Sequence, residues 1–161
     1  LEGRCPKVQK NGCVPTMNGP TPQHTADLVR ERMFVNDRAS KWLGMEVAAV
    51  TPGHAVLTMT VKDEMLNGHE ICHGGLIATL ADSAFAFACN SYNEFTVASG
   101  FAIELLAPGK LGDVLTATCR EVSKSGRTGV YDTEVTNQDG TRVALFRGRS
   151  HTIKGKPAVA R

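Results

Sequence analysis

With 161 residues, 42% of them hydrophobic, the chain can bury one ordinary core, and its length calls for no second domain. Its 18 basic and 16 acidic side chains leave a net charge of +2, too little for the counterion-driven binding that marks nucleic-acid proteins. The five cysteines (Cys5, Cys13, Cys72, Cys89, Cys119) are scattered and contain no CxxC pair, which argues against a disulfide framework or a cysteine-rich zinc site and for a reducing, cytoplasmic setting.

Residues 1–24 hold Pro6, Pro15, Pro20 and Pro22 among glycines, with few large apolar side chains. Such a composition cannot bury enough surface to fold, so the segment is expected to be a disordered tail whose opening LEGRCPKV can include non-native residues. No continuous apolar run of the kind a secretory signal needs is present there. From Thr25 to Trp42 the spacing of Ala26, Val29 and Met33 predicts one amphipathic helix with Thr25 as its N-cap and Gly44 near its stop.

MEVAAV (45–50) is broken by Pro52-Gly53, and HAVLTMTV then alternates, with Ala55, Leu57, Met59 and Val61 on one face; this predicts a hairpin. Residues 63–73 read as a loop. Leu76–Cys89 is apolar nearly all round and predicts a covered helix. It is too short for a bilayer, which needs about 20 apolar residues, and it carries Asp82 near its middle, so no membrane span is expected. VASGFAIELLAP, DVLTATCREV, TGVYDTEVTN and TRVALFRGRSHTI follow, separated by Pro108-Gly109, Ser125-Gly126 and Asp139-Gly140. Runs rich in β-branched residues between such turns read as an antiparallel meander. The predicted fold is therefore α+β: one sheet of about six strands wrapped around one buried helix, over residues 25–155.

Asp82 is the only charged residue of its helix, and an ionised carboxylate among apolar neighbours costs several kcal/mol unless it is paired. Such groups concentrate at functional sites, although a structural bond to Ser83 or to backbone also fits. Gly74 and Gly75 open the same helix, where the first N–H groups lack intrahelical acceptors and carry partial positive charge. A plain tight turn would use the same glycines, and Asn67-Gly68 likewise passes as a turn. Cys72 beside His73 invites a cysteine nucleophile, but no orienting third group is identifiable. His69, His73 and Asp82 lack the second ligand cluster that a metal site needs, so no metal is expected.

The stretch NGHEICHGG followed by LADSAFAFACNS resembles the hotdog-fold acyl-CoA thioesterases, the phenylacetic-acid-degradation (PaaI-type) subfamily in particular. The resemblance implies thioester hydrolysis with no cofactor beyond the coenzyme A of the substrate. It implies a homodimer, in which Asp82 of one chain faces the Gly74 amide of the other, and a homotetramer of two such dimers. Asp82 would then be general base or nucleophile, Gly74 would polarise the carbonyl, and Asn67 and His73 would hold the water or the thioester. Gly75 and Ser99 are further substrate-binding candidates. No acidic residue follows Asp139, whereas Arg142, Arg147, Arg149, Lys154, Lys156 and Arg161 do. Lys124, Arg127, Arg147 and Arg149 are thus candidates for coenzyme A phosphates, against a merely solvated basic tail. A hotdog dehydratase or hydratase and a non-catalytic acyl-CoA-binding protein are the alternatives; the first generally wants a histidine near the acid, and the helix after Asp82 has none.

Overall fold

A computed structural model describes residues 19–160. The bulk of the expected tail, 1–18, lies outside the described residues. Its last part does not behave as expected, because the first helix, α1 (Pro22–Asn36), begins at Pro22. Thr21, not Thr25, is the N-cap; its side chain accepts the His24 N–H, and Pro22 occupies the first turn, where its missing N–H has no intrahelical acceptor to lose. The single helix expected to run on to Trp42 is two. Asp37 leaves helical geometry, closes α1, and caps α2 (Arg38–Trp42) by accepting the Ser40 N–H.

Strands β1 (Glu46–Thr51) and β2 (His54–Thr60) form the expected hairpin, with Gly53 at a φ of 70° in its turn. A short 3-10 turn (Asp63–Met65) and an irregular loop lead into α3 (Gly74–Asn90), the long central helix. Then come β3 (Thr96–Leu105), β4 (Val114–Ser125), β5 (Thr128–Thr136) and β6 (Arg142–Thr152).

All six strands join one antiparallel sheet in the order β1-β2-β4-β5-β6-β3. The meander holds for β4, β5 and β6. β3 departs from it: it pairs with β6 at the far edge, and residues 106–113 carry the chain back across the end of the sheet to β4, which lies beside β2. On this crossing, Cys72 N–H donates to Gly109 O and Val61 N–H to Asp113 O, so the crossing segment is stitched to both the loop before α3 and the end of β2.

The sheet curls around α3. Inward side chains of β2 (Ala55, Leu57, Met59), β4 (Leu115, Ala117, Cys119) and β5 (Tyr131, Val135) close on Leu80, Ala84, Phe85, Phe87 and Ala88 of the helix, all of them buried. Each fully buried Leu or Phe is worth about 1.5–3 kcal/mol, and this shared core is what fixes the helix against the sheet. One stripe of α3, Gly75, Ala78, Thr79, Asp82 and Ala86, is left incompletely covered.

Candidate active site

The loop before α3 is shaped by its own polar groups. Asn67 Oδ1 accepts the His69 N–H at 2.9 Å and Asn67 N–H donates to Ile71 O, a tight turn that puts Glu70 at a φ of 59°. The turn ends at His73, which N-caps α3: its Nδ1 accepts the Gly75 N–H at 3.2 Å, so the proton of the neutral ring sits on Nε2. The Gly75 N–H is thereby consumed. The Gly74 N–H meets no acceptor among the described residues, and Gly74 lines a cleft of about 380 Å³ with Asn67, Ile71, Cys72, Leu105 and Pro108. A Cβ on Gly74 would come within 2.5 Å of Leu105 Cδ1, a side chain that lines the same cleft, so only glycine leaves this wall undisturbed. Asn67, Gly74 and His73 are brought together here, with Asn67 serving the turn and the cleft wall at once.

Asp82 stands two turns further along α3, half-buried, and no described residue hydrogen-bonds or ion-pairs with its carboxylate. Ser83, the structural partner considered for it, instead contacts Ser40 Oγ at 3.3 Å. Burial pushes the Asp82 pKa above the usual carboxylate range, the direction that brings a base closer to neutrality. Eight residues at 1.5 Å rise separate it from Gly74 by about 12 Å, too far for both to act on one carbonyl within one chain.

The basic candidates separate into two groups. Lys124 pairs with Glu94 at 2.5 Å and lies over the Tyr92 ring; Arg147 forms a two-pronged pair with Asp132, at 2.6 Å on each side. Neither is available without breaking an existing contact. Arg127 donates to Thr152 O and contacts His151 Nε2, and the Arg149 guanidinium lies beside Gly100; no described carboxylate pairs with either. Ser99 occupies a bulge of β3, exposed, and donates to Arg149 O at 3.1 Å. Cys72 is buried, and burial pushes its thiol pKa up, opposite to what an activated thiolate requires. Among the described residues no three His, Cys, Asp or Glu side chains gather as a metal site would need.

Two features of this region arise from contacts between residues distant in the chain. Leu105, Leu106 and Pro108 form one wall of the cleft because the β3–β4 crossing runs past α3; the apolar LLAP run before Pro108-Gly109 was the available signal. Glu121 Oε2 accepts both the Tyr92 hydroxyl (3.0 Å) and the Tyr131 hydroxyl (2.9 Å) at the other end of the helix. Nothing in the sequence pairs these three.

A six-stranded antiparallel sheet wrapped around one long helix, with a free amide at the start of that helix and a lone carboxylate at its middle, is the hotdog fold. The family model for the thioesterase superfamily matches residues 69–144. The chain is 51% identical to an acyl-coenzyme A thioesterase PaaI of Escherichia coli over 76% of its own length and 88% of that protein. A structure of the E. coli PaaI protein from the phenylacetic acid degradation operon superposes with a TM-score of 0.83 at 48% identity, over 84% of this chain and 99% of that one. A hypothetical thioesterase protein from Streptococcus pneumoniae, solved with coenzyme A, matches at a TM-score of 0.67 and 30% identity over 70% of this chain and 90% of that one. The chain belongs to the thioesterase superfamily and is a relative of its PaaI members.

Proposed function

We propose that this protein hydrolyses acyl-CoA thioesters to a free acid and coenzyme A, at a site shared between two copies of the chain. The observation that carries the mechanism is the half-buried Asp82 carboxylate, kept without a partner on the same helix whose first amide is also free. The carboxylate is held half-buried without a partner, which costs desolvation, and the amide is open to the cleft, the pattern of a site that waits for a ligand.

The separation of Asp82 and Gly74 requires a second chain. β3 offers the edge for it: ten residues with a single charge, Glu104, no proline, and exposed Val97, Phe101 and Leu105. Such an edge invites pairing with another strand. Two β3 strands joined about a twofold axis extend the sheet and set the two α3 helices antiparallel, so that Asp82 of each chain faces the Gly74 end of the other.

In this arrangement the thioester oxygen accepts the Gly74 N–H of one chain, which stabilises the charge that develops on it. Asp82 of the other chain takes a proton from water as the water oxygen bonds to the carbonyl carbon. Collapse of the tetrahedral species breaks the carbon–sulfur bond, and the departing thiolate recovers the proton. Asn67 orients the thioester, His73 holds the loop in place, and Arg127 and Arg149 meet the coenzyme A phosphates. The chemistry calls on no metal or organic cofactor, and the buried free thiols Cys72, Cys89 and Cys119 suit a cytoplasmic setting.

Complementation tests the shared site. Gly74→Ala, which keeps the N–H but presses a methyl on Leu105 in the cleft wall where the thioester would approach it, and Asp82→Asn should each be nearly inactive in thiol release from acyl-CoA esters, yet mixed subunits should regain activity, because one of the two sites in each hybrid dimer has both groups intact. Failure of hybrids to regain activity while sedimenting as dimers would sink the proposal.

A further inference from the structure

The sheet ends in two strands, β1 and β3, and only one of them is left bare. β3 is exposed along most of its length. Beside β1 lies α1, which donates to the strand's backbone twice: Gln23 Nε2 to Val50 O at 2.9 Å, and the Arg30 guanidinium to Val47 O at 2.7 Å. Gln23 is steadied by a second bond from the same amide, to Asp27 Oδ1 at 2.8 Å. Ala26, between the two donors on the same helix face, is fully buried, so this face of the helix is packed down.

Two lengths must agree for one helix to hold both carbonyls. Gln23 and Arg30 are two helical turns apart, about 10.5 Å, and Val47 and Val50 are separated by about 10 Å of extended strand. The step from 47 to 50 is odd, and in a regular strand it would turn the two carbonyls to opposite sides. The bulge between Val47 and Ala49 adds the residue that restores the parity. At the hairpin, Thr51 and His54 close the two-residue turn as the hydrogen-bonded pair, so Val50 turns its carbonyl outward, and past the bulge Val47 does the same.

β1 has few guards of its own. Its sequence, EVAAVT, carries one charge, at Glu46, and neither proline nor lysine. A bare strand of that composition is a template for another. The consequence falls on assembly. When two β3 strands pair about a twofold axis, both outer edges of the joined sheet are β1, and a β1 free to pair in its turn would link dimers into an open array. We infer that Gln23 and Arg30 close the β1 edge to strand addition, so that pairing through the sheet stops at two subunits. The inference rests on the β3 pairing of the proposed shared site and adds what ends it.

The test is Gln23→Leu combined with Arg30→Met, which keeps the apolar reach of both side chains and removes the donors. Sedimentation from micromolar concentration upward reads the outcome, with melting temperature alongside. The parent should hold one size across the range. The double variant should grow with concentration to at least about twice the parent's mass. Adding Ala48→Lys, a charge at an exposed position of the edge strand, should return it to the parent's size. A double variant that keeps the parent's size, that unfolds, or that grows in a way Ala48→Lys does not reverse would make the two donors stabilising contacts only and overturn the inference. A monomeric parent takes down the β3 pairing, and this inference with it; an oligomeric parent with an indifferent double variant takes down this inference alone.

Discussion

The two ends of α3 are built on opposite terms. At its C-terminal end the polar groups are matched to one another. Asn90 Nδ2 donates to Ala86 O and Thr96 O, and its Oδ1 accepts the Thr96 N–H. Ser91 Oγ accepts the Gly53 N–H and donates to Ala88 O, while Glu121 receives two phenol hydroxyls. At the N-terminal end the Gly74 N–H is unclaimed, and the Asp82 carboxylate beyond it has no partner among the described residues. One end spends its polar groups on stability; at the other the His73 cap and the Asn67 turn do the same, while the Gly74 N–H and the Asp82 carboxylate stay unpaired, and the proposed reading assigns those two to chemistry.

The sharpest way to break this contrast is Asp82→Asn. If the carboxylate is withheld for catalysis, kcat should fall by about 10² or more, with KM little changed and the melting temperature equal or higher, because a costly half-buried charge has been removed. A large drop in melting temperature with near-normal kcat would make Asp82 structural.

Acidity sharpens the same point. Burial raises the Asp82 pKa, so kcat/KM should decline, as pH falls, at a higher pH than an ordinary carboxylate would dictate. Stability moves the other way: a folded-state pKa above the unfolded value favours the folded state fully below the unfolded pKa, and that contribution is lost as pH rises through the folded pKa. In Asp82→Asn both dependences should vanish from pH titrations of activity and of melting temperature.

The opposite end should answer in stability alone. Asn90→Ala strands buried Thr96 backbone groups and should cost about 2 kcal/mol in denaturant unfolding, with kcat per folded molecule unchanged. Smaller still, Tyr131→Phe removes one of the two hydroxyls on Glu121 and should cost about 1 kcal/mol. A loss of kcat in either variant at full folding would show that the two ends are coupled.

Much of this molecule was legible in the order of its residues. The strand periods of HAVLTMTV and DVLTATCREV, the Pro-Gly and Asp-Gly breaks, and the apolar length after Gly75 determine local geometry, because side-chain alternation and turn chemistry act over a few residues. The asymmetry of Asp82 in an apolar helix was likewise visible, since a desolvated charge is costly wherever the helix lies.

Tertiary structure decided what depends on partners far along the chain. The split at Asp37 turned on a cap to Ser40 that competes with helix continuation. The placing of β3 at the edge, rather than beside β4, is a choice of strand partner that no local period encodes, and it exposes Phe101 and brings Leu105 onto Gly74. The sorting of basic residues followed from register: pairing β5 with β6 sets Asp132 opposite Arg147 and Val130 opposite Arg149, so one arginine is neutralised and the other is left open. Sequence supplies the charges, and only cross-strand neighbours determine which of them remain unpaired.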